Sequence, residues 1–133
     1  MKLASRVFRF AGVYGLLVLV PQYFTEGKLG TDYPPAITHP EFYYGFLGVA
    51  ISWQIGFLLI SKDPLRYRAM MIPSIFEKTS FGFAVLILFL VGRTSSMTLA
   101  FGSIDLVLAA AFFLAYLKTA DTQAFQASWK RDL

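Results

Sequence analysis

A chain of 133 residues has room for one domain, yet 56% of it is hydrophobic and its mean hydropathy is +0.58. A water-soluble domain of this size cannot bury that much apolar surface. The absence of cysteine excludes disulfides, thiolate catalysis, thiolate metal sites and palmitoylation. The formal net charge of +4 comes from basic residues flanking apolar runs, which reads as an orientation signal and a mild attraction to anionic membrane lipids, with no nucleic-acid patch.

The first apolar run, Val7–Pro21, follows Lys2, Arg6 and Arg9 and predicts a span over residues 7–24. A basic start before an apolar run also resembles a signal peptide. Pro21, Gln22, Tyr23 and Phe24 stand where a small-x-small cleavage site would be, so the segment is expected to be retained. The outer loop 22–40 contains Gly27, Gly30, Pro34, Pro35 and Pro40; the prolines fix φ and extend their neighbours, which predicts an ordered excursion. Tyr23, Phe24, Tyr33, Phe42, Tyr43 and Tyr44 form a candidate aromatic belt at that interface.

A second span over residues 41–61 opens with a Thr38–Glu41 capping box. Segment 63–73 is expected to lie in the inner interface, with Asp63 capping, Pro64 at the first helical position and a short helix Leu65–Ile72 broken by Pro73. Ser74 and Glu77 suggest a second capping box for a third span over residues 74–92. The tight turn Arg93–Ser96 makes it the antiparallel neighbour of a fourth span over 97–117. The inner tail 118–133 is polar, with Phe125 and Trp129 one helical turn apart, a spacing that suits a short helix resting on the inner surface or a frayed end. Lipid offers no partner to free backbone groups, so the spans must be helices. The expected fold is all-α, an integral membrane four-helix bundle.

Lys2, Arg6, Arg9, Lys62, Arg66, Arg68, Lys118, Lys130 and Arg131 lie on one side of these spans and only Lys28 and Arg93 on the other, nine against two with Lys78 set aside at a segment edge. Cytoplasmic flanks retain Lys and Arg, so both termini are expected in the cytoplasm.

Three groups of residues are candidates for chemistry or packing. Gly45, Gly48, Ser52 and Gly56 form a small-residue stripe along the second span, the main device for close helix approach in lipid. Asp105 lies mid-span between Ile104 and Leu106, where a carboxylate costs about 2.5–3.5 kcal/mol and should face the interior. The topology places Tyr14, Ser52 and Gln54 at its depth, a buried polar cluster without a cation. Glu77 and Arg9 enter from the same side, which predicts an ion pair or a ligand-headgroup site. His39, the sole histidine, lies in the outer loop. No metal and no cofactor are expected.

The run His39-Pro40-Glu41-Phe42-Tyr43-Tyr44-Gly45-Phe46, with Asp63-Pro64-Leu65-Arg66-Tyr67-Arg68, Glu77-Lys78 and Ile104-Asp105-Leu106, resembles small uncharacterised bacterial four-helix membrane proteins. In layout alone it is similar to DoxX-like proteins. The resemblance implies a bacterial inner membrane and carries no activity across. Small multidrug transporters are similar in span number but carry an acid in the centre of the first helix, where this chain has Val13, Tyr14 and Gly15.

Three functions are weighed. The favoured one is a non-enzymatic membrane protein that packs with a partner subunit, as a homo-oligomer or within a larger membrane complex, or binds a lipophilic ligand. The alternatives are a small proton-coupled transporter or channel subunit using Asp105, and a lipid- or isoprenoid-modifying enzyme using Glu77 or Asp105. The two acids are expected on different levels, which disfavours the enzyme.

Overall fold

The computed structural model describes residues 1–131, with the side chains of 121, 123–126 and 128–131 outside the described set, and with them the Phe125–Trp129 spacing. Its helices are α1 (Lys2–Leu19), α2 (Glu26–Asp32), α3 (Pro40–Lys62), α4 (Met71–Leu90) and α5 (Ser96–Arg131), and there is no strand among the described residues. Four stretches are long and apolar enough to cross a bilayer: Lys2–Phe24, Pro40–Lys62, Arg68–Leu90 and Ser96–Ala120. Large apolar side chains cover their outer faces, among them Leu17, Val49, Phe76, Leu90 and Val107. A surface of that kind calls for lipid.

The long helices form two hairpins, α1 with α3 and α4 with α5. The hairpins join through α1 and α5, while α3 and α4 hardly meet. Glycine explains the close pairs. A Cβ at Gly12 would press on Leu58 and the Gln54 carbonyl, and one at Gly15 would collide with the Gln54 side chain. Between α4 and α5, Gly82 lies against Leu106 and Gly102 against Val85. Lipid gives no hydrophobic drive for helix association, so such backbone approach is where packing energy arises.

This corrects the expected packing stripe. A Cβ at Gly45 or Gly56 would meet nothing within 4 Å, and one at Gly48 only the Tyr23 hydroxyl. Ser52 is exposed and donates to the Gly48 carbonyl at 2.9 Å. Within this chain the stripe packs no helix.

One end of the bundle is dry. Phe8 stacks on Phe112 at 4.1 Å between ring centroids, and Phe57 meets Phe112 edge-on at 5.0 Å. Ala4, Ala11, Ile60, Met71, Leu108 and Ala115 close around them. The Ser5 hydroxyl donates to the Ser61 carbonyl at 2.7 Å, and the Arg68 guanidinium lies 3.8 Å from the Tyr116 ring centroid. We call this the basic end, because the Lys2–Arg9, Lys62–Arg68 and Lys118 flanks converge on it.

Several boundaries differ from expectation. α4 begins at Met71, so Pro73 falls in the first turn, where its missing N–H leaves no bond unmade. Ser74 is therefore not a cap; its hydroxyl donates to the Met70 carbonyl at 2.6 Å. In place of a helix over Leu65–Ile72 there is a single 3-10 turn, Arg68–Met70. Asp63 does cap its turn, accepting from the Arg66 N–H at 3.2 Å. His39, not Thr38, stands at the N-cap of α3, with Nδ1 3.1 Å from Glu41 Oε1. α5 continues as helix through Arg131 where a tail was expected from residue 118.

At the opposite, loop end, α4 stops in a Schellman turn. Gly92 has φ +71° and the Arg93 N–H returns to the Leu88 carbonyl at 2.8 Å, which makes the α4–α5 turn tight. The excursion between α1 and α3 is tied down: Tyr44 Oη donates to Glu26 Oε2 at 2.6 Å and Tyr43 Oη to the Gln22 carbonyl at 2.5 Å. Within α2, Asp32 accepts from Lys28 at 2.6 Å and holds that ammonium above its ordinary range.

Candidate functional site

Where α3 and α4 part company, the loop-end half of the bundle is hollow. The cavity measures about 810 Å³. Leu17, Val18, Phe81 and Phe101 line its walls, with Tyr14 lower down, and Thr25, Leu29, Tyr33 and Ile37 of the excursion form its roof. Its floor is polar: Gln54, Glu77, Lys78 and Asp105.

The floor is built by the α4–α5 hairpin. Lys78 precedes the end of α4 by 12 residues and Asp105 follows the start of α5 by nine. At about 1.5 Å per residue the two lie within about 5 Å of one level, less than a lysine side chain can span. Lys78 Nζ stands 3.1 Å from Asp105 Oδ1 and 3.3 Å from Oδ2. Glu77 Oε2 is 3.5 Å from the same nitrogen, and the Phe57 ring centroid is 5.5 Å from it. Lys78 is 5% exposed and Asp105 9%. Either charge alone would be expensive at this depth; together they offset each other's desolvation.

Two buried acceptors on this floor have no hydrogen-bond partner, Gln54 Oε1 and Glu77 Oε2. Gln54 is 1% exposed, and its Nε2 donates to the Ala50 carbonyl at 2.9 Å. That bond fixes which end of the amide is the donor. Unmet acceptors in a buried position cost about 1–3 kcal/mol each; both residues line the cavity, with Gln54 Oε1 lying against Gly15 of α1.

The structure brings Asp105, Gln54 and Tyr14 together on one cavity and leaves Ser52 outside it. It also supplies the cation that the expected cluster lacked. Lys78 escaped sequence reasoning because a third span starting at residue 74 placed it at an interface, whereas the level count across the Arg93–Ser96 turn would have found it. The Arg9–Glu77 pair does not form. α1 packs on α3 and α5, Arg9 is exposed, and Glu77 faces Lys78 instead. Glu77 and Asp105 share one ammonium, so the two acids lie on one level and not on two.

The open α3–α4 edge carries a shallow groove of about 280 Å³ lined by Phe46, Val49, Ala50, Trp53, Glu77 and Phe81. The Phe46 and Phe81 rings stack across this edge at 5.8 Å. Phe46, Ala50, Glu77 and Phe81 line both groove and cavity, so a thin wall separates the chamber from the outer surface. Among the described residues, no three His, Asp or Glu side chains are grouped as metal ligands.

Compared with known proteins, the chain matches no family model, and no curated protein and no solved structure is significantly similar to it.

Proposed function

We propose that this is an integral membrane protein, with both termini in the cytoplasm of a bacterial inner membrane, that binds a lipophilic molecule. The ligand's apolar part lies along the cavity walls and its polar head meets the floor at Gln54, Glu77, Lys78 and Asp105. The observation that carries this reading is the cavity of about 810 Å³ with unpartnered buried acceptors at one end. Small-molecule sites are concave, mostly apolar and fitted with a few polar groups, within roughly 300–1,000 Å³. The bare Gly45, Gly48, Ser52 and Gly56 face of α3 supports association with a further subunit.

A proton-coupled transporter centred on Asp105 would need a path through the basic end, which Phe8, Phe57 and Phe112 fill. An acid–base enzyme gains two acids at one level, but Lys78 engages both. The binding reading needs neither a path nor a free acid.

Extraction of the protein from its membranes in mild detergent, followed by mass spectrometry of the bound lipids and small molecules, tests the proposal. A lipophilic species should accompany the wild type and be depleted from Ala50→Phe, which places a ring at the chamber wall. An empty wild type, or equal retention by both, would sink it. Orientation is tested by single cysteines in this cysteine-free chain: Lys28→Cys should react with an impermeant maleimide added outside intact cells, and Lys62→Cys should not.

A further inference from the structure

The cavity floor has more unmet acceptors than its own cation can serve. The Lys78 ammonium has three N–H bonds. Asp105 lies within hydrogen-bond distance through both oxygens, and Glu77 and the Phe57 ring occupy the remaining side of the nitrogen. Lys78 is thus committed to Asp105, and Glu77 Oε2, 3.5 Å away, is in ionic contact without a hydrogen bond. Gln54 Oε1 and Glu77 Oε2 are left over as acceptors. Formal charges point the same way: two carboxylates face one ammonium, which leaves one negative charge in a low-dielectric setting.

Each head-group chemistry meets this floor differently. A carboxylate or phosphate would face charge of its own sign, with the only ammonium on the floor already engaged. An alcohol would bring one donor and no charge. A quaternary ammonium would bring charge and no donor. A primary ammonium brings both, three N–H groups and a positive charge. Tyr14, Phe81 and Phe101 line the same chamber, and aromatic rings near a cation are attracted to it.

Building on the cavity reading, we propose that the ligand is a lipophilic primary amine, its ammonium seated at Glu77 and Gln54 and its apolar part extending toward the loop end. Two natural sources share this chemistry, a free long-chain amine and an aminophospholipid headgroup.

The test is binding to the full-length protein in detergent or nanodiscs, measured by native mass spectrometry. The probes are dodecylammonium, dodecyltrimethylammonium, dodecanol and dodecanoate at equal concentrations. Dodecylammonium should bind at least tenfold tighter than the other three, and Glu77→Gln should erase most of that preference. Gln54→Met, which keeps length and removes the acceptor, should reduce the preference severalfold and serves if Glu77→Gln does not fold. Equal binding of dodecanol and dodecylammonium, or a preference that survives both substitutions, would overturn the amine assignment and leave the cavity reading standing. Failure of all four probes would overturn both. Short-chain phosphatidylethanolamine against phosphatidylcholine separates the sources: discrimination between them assigns the aminophospholipid, and its absence assigns the free amine.

Discussion

The same four helices build two halves of opposite character. At the basic end Phe8, Phe57 and Phe112 interlock within a cluster of buried apolar side chains. At the loop end, two or three turns away along the same helices, the side chains draw back from a chamber large enough for a ligand. The boundary between them is the Lys78–Asp105 pair, with Phe57 on the dry side of the ammonium and Gln54 on the chamber floor. The difference lies in which helices touch. Where α1, α3 and α5 contribute aromatic rings and α4 adds Met71, the centre fills; where α3 and α4 separate, it does not. A buried ion pair at such a boundary keeps its partners desolvated on one side and reachable on the other, which suits recognition better than stability.

The largest expected effect falls on the boundary itself. Lys78→Met leaves two acids facing each other without a cation and should cost about 3–5 kcal/mol, read from unfolding in mixed micelles of rising SDS content. Adding Glu77→Gln and Asp105→Leu to Lys78→Met should recover most of the loss; if it does not, the pair is not the divide described here. Next comes a contrast along one helix. Phe112→Ala in the dry half should cost about 2–3 kcal/mol, below the usual range in water because lipid is as apolar as the core. Phe101→Ala faces the chamber and should cost under about 1 kcal/mol by the same assay. Equal costs at the two positions would erase the distinction between the halves.

Gly82→Ala crowds Leu106 and the Gly102 carbonyl and should cost about 1–2 kcal/mol. Gly56→Ala, with open space around it, should stay within about 0.5 kcal/mol as a monomer; a clear loss of self-association in that variant would show that the bare stripe meets a second copy. Tyr44→Phe removes one tether of the roof at a cost of about 0.5–1.5 kcal/mol. Its sharper signature is faster amide exchange across Glu26–Asp32 with the dry half unchanged.

The spans, the pairing of the last two and the inward placement of Asp105 were legible from residue types and lengths, because hydrophobic length, a tight turn and an isolated mid-span acid are clear signals. The contact faces were not. α3 is apolar nearly all round, so periodicity cannot distinguish its lipid face from its protein face, and four small residues in register looked like the packing side. The faces that do pack use Gly12 and Gly15 on α1, too few and too scattered to stand out. Glu77 was legible as a charge near a membrane surface but was assigned the wrong partner, because Pro73 was read as a break when it lies within the first turn of α4. That shift of three residues moved Lys78 from an interface to the interior and changed a lone carboxylate into a triad.

The α1–α5 seam has a mechanical consequence. The two hairpins are joined along one edge and nearly free along the other, bridged there by little more than the stacked Phe46 and Phe81 rings. Such a body has one soft degree of freedom, rotation of one hairpin against the other about the seam. Lateral pressure from the surrounding acyl chains acts on the free edge, and the dry end, already at packing density, cannot yield. A change in bilayer thickness is therefore expected to alter the chamber before the dry end, which ligand retention in nanodiscs of different acyl length would show.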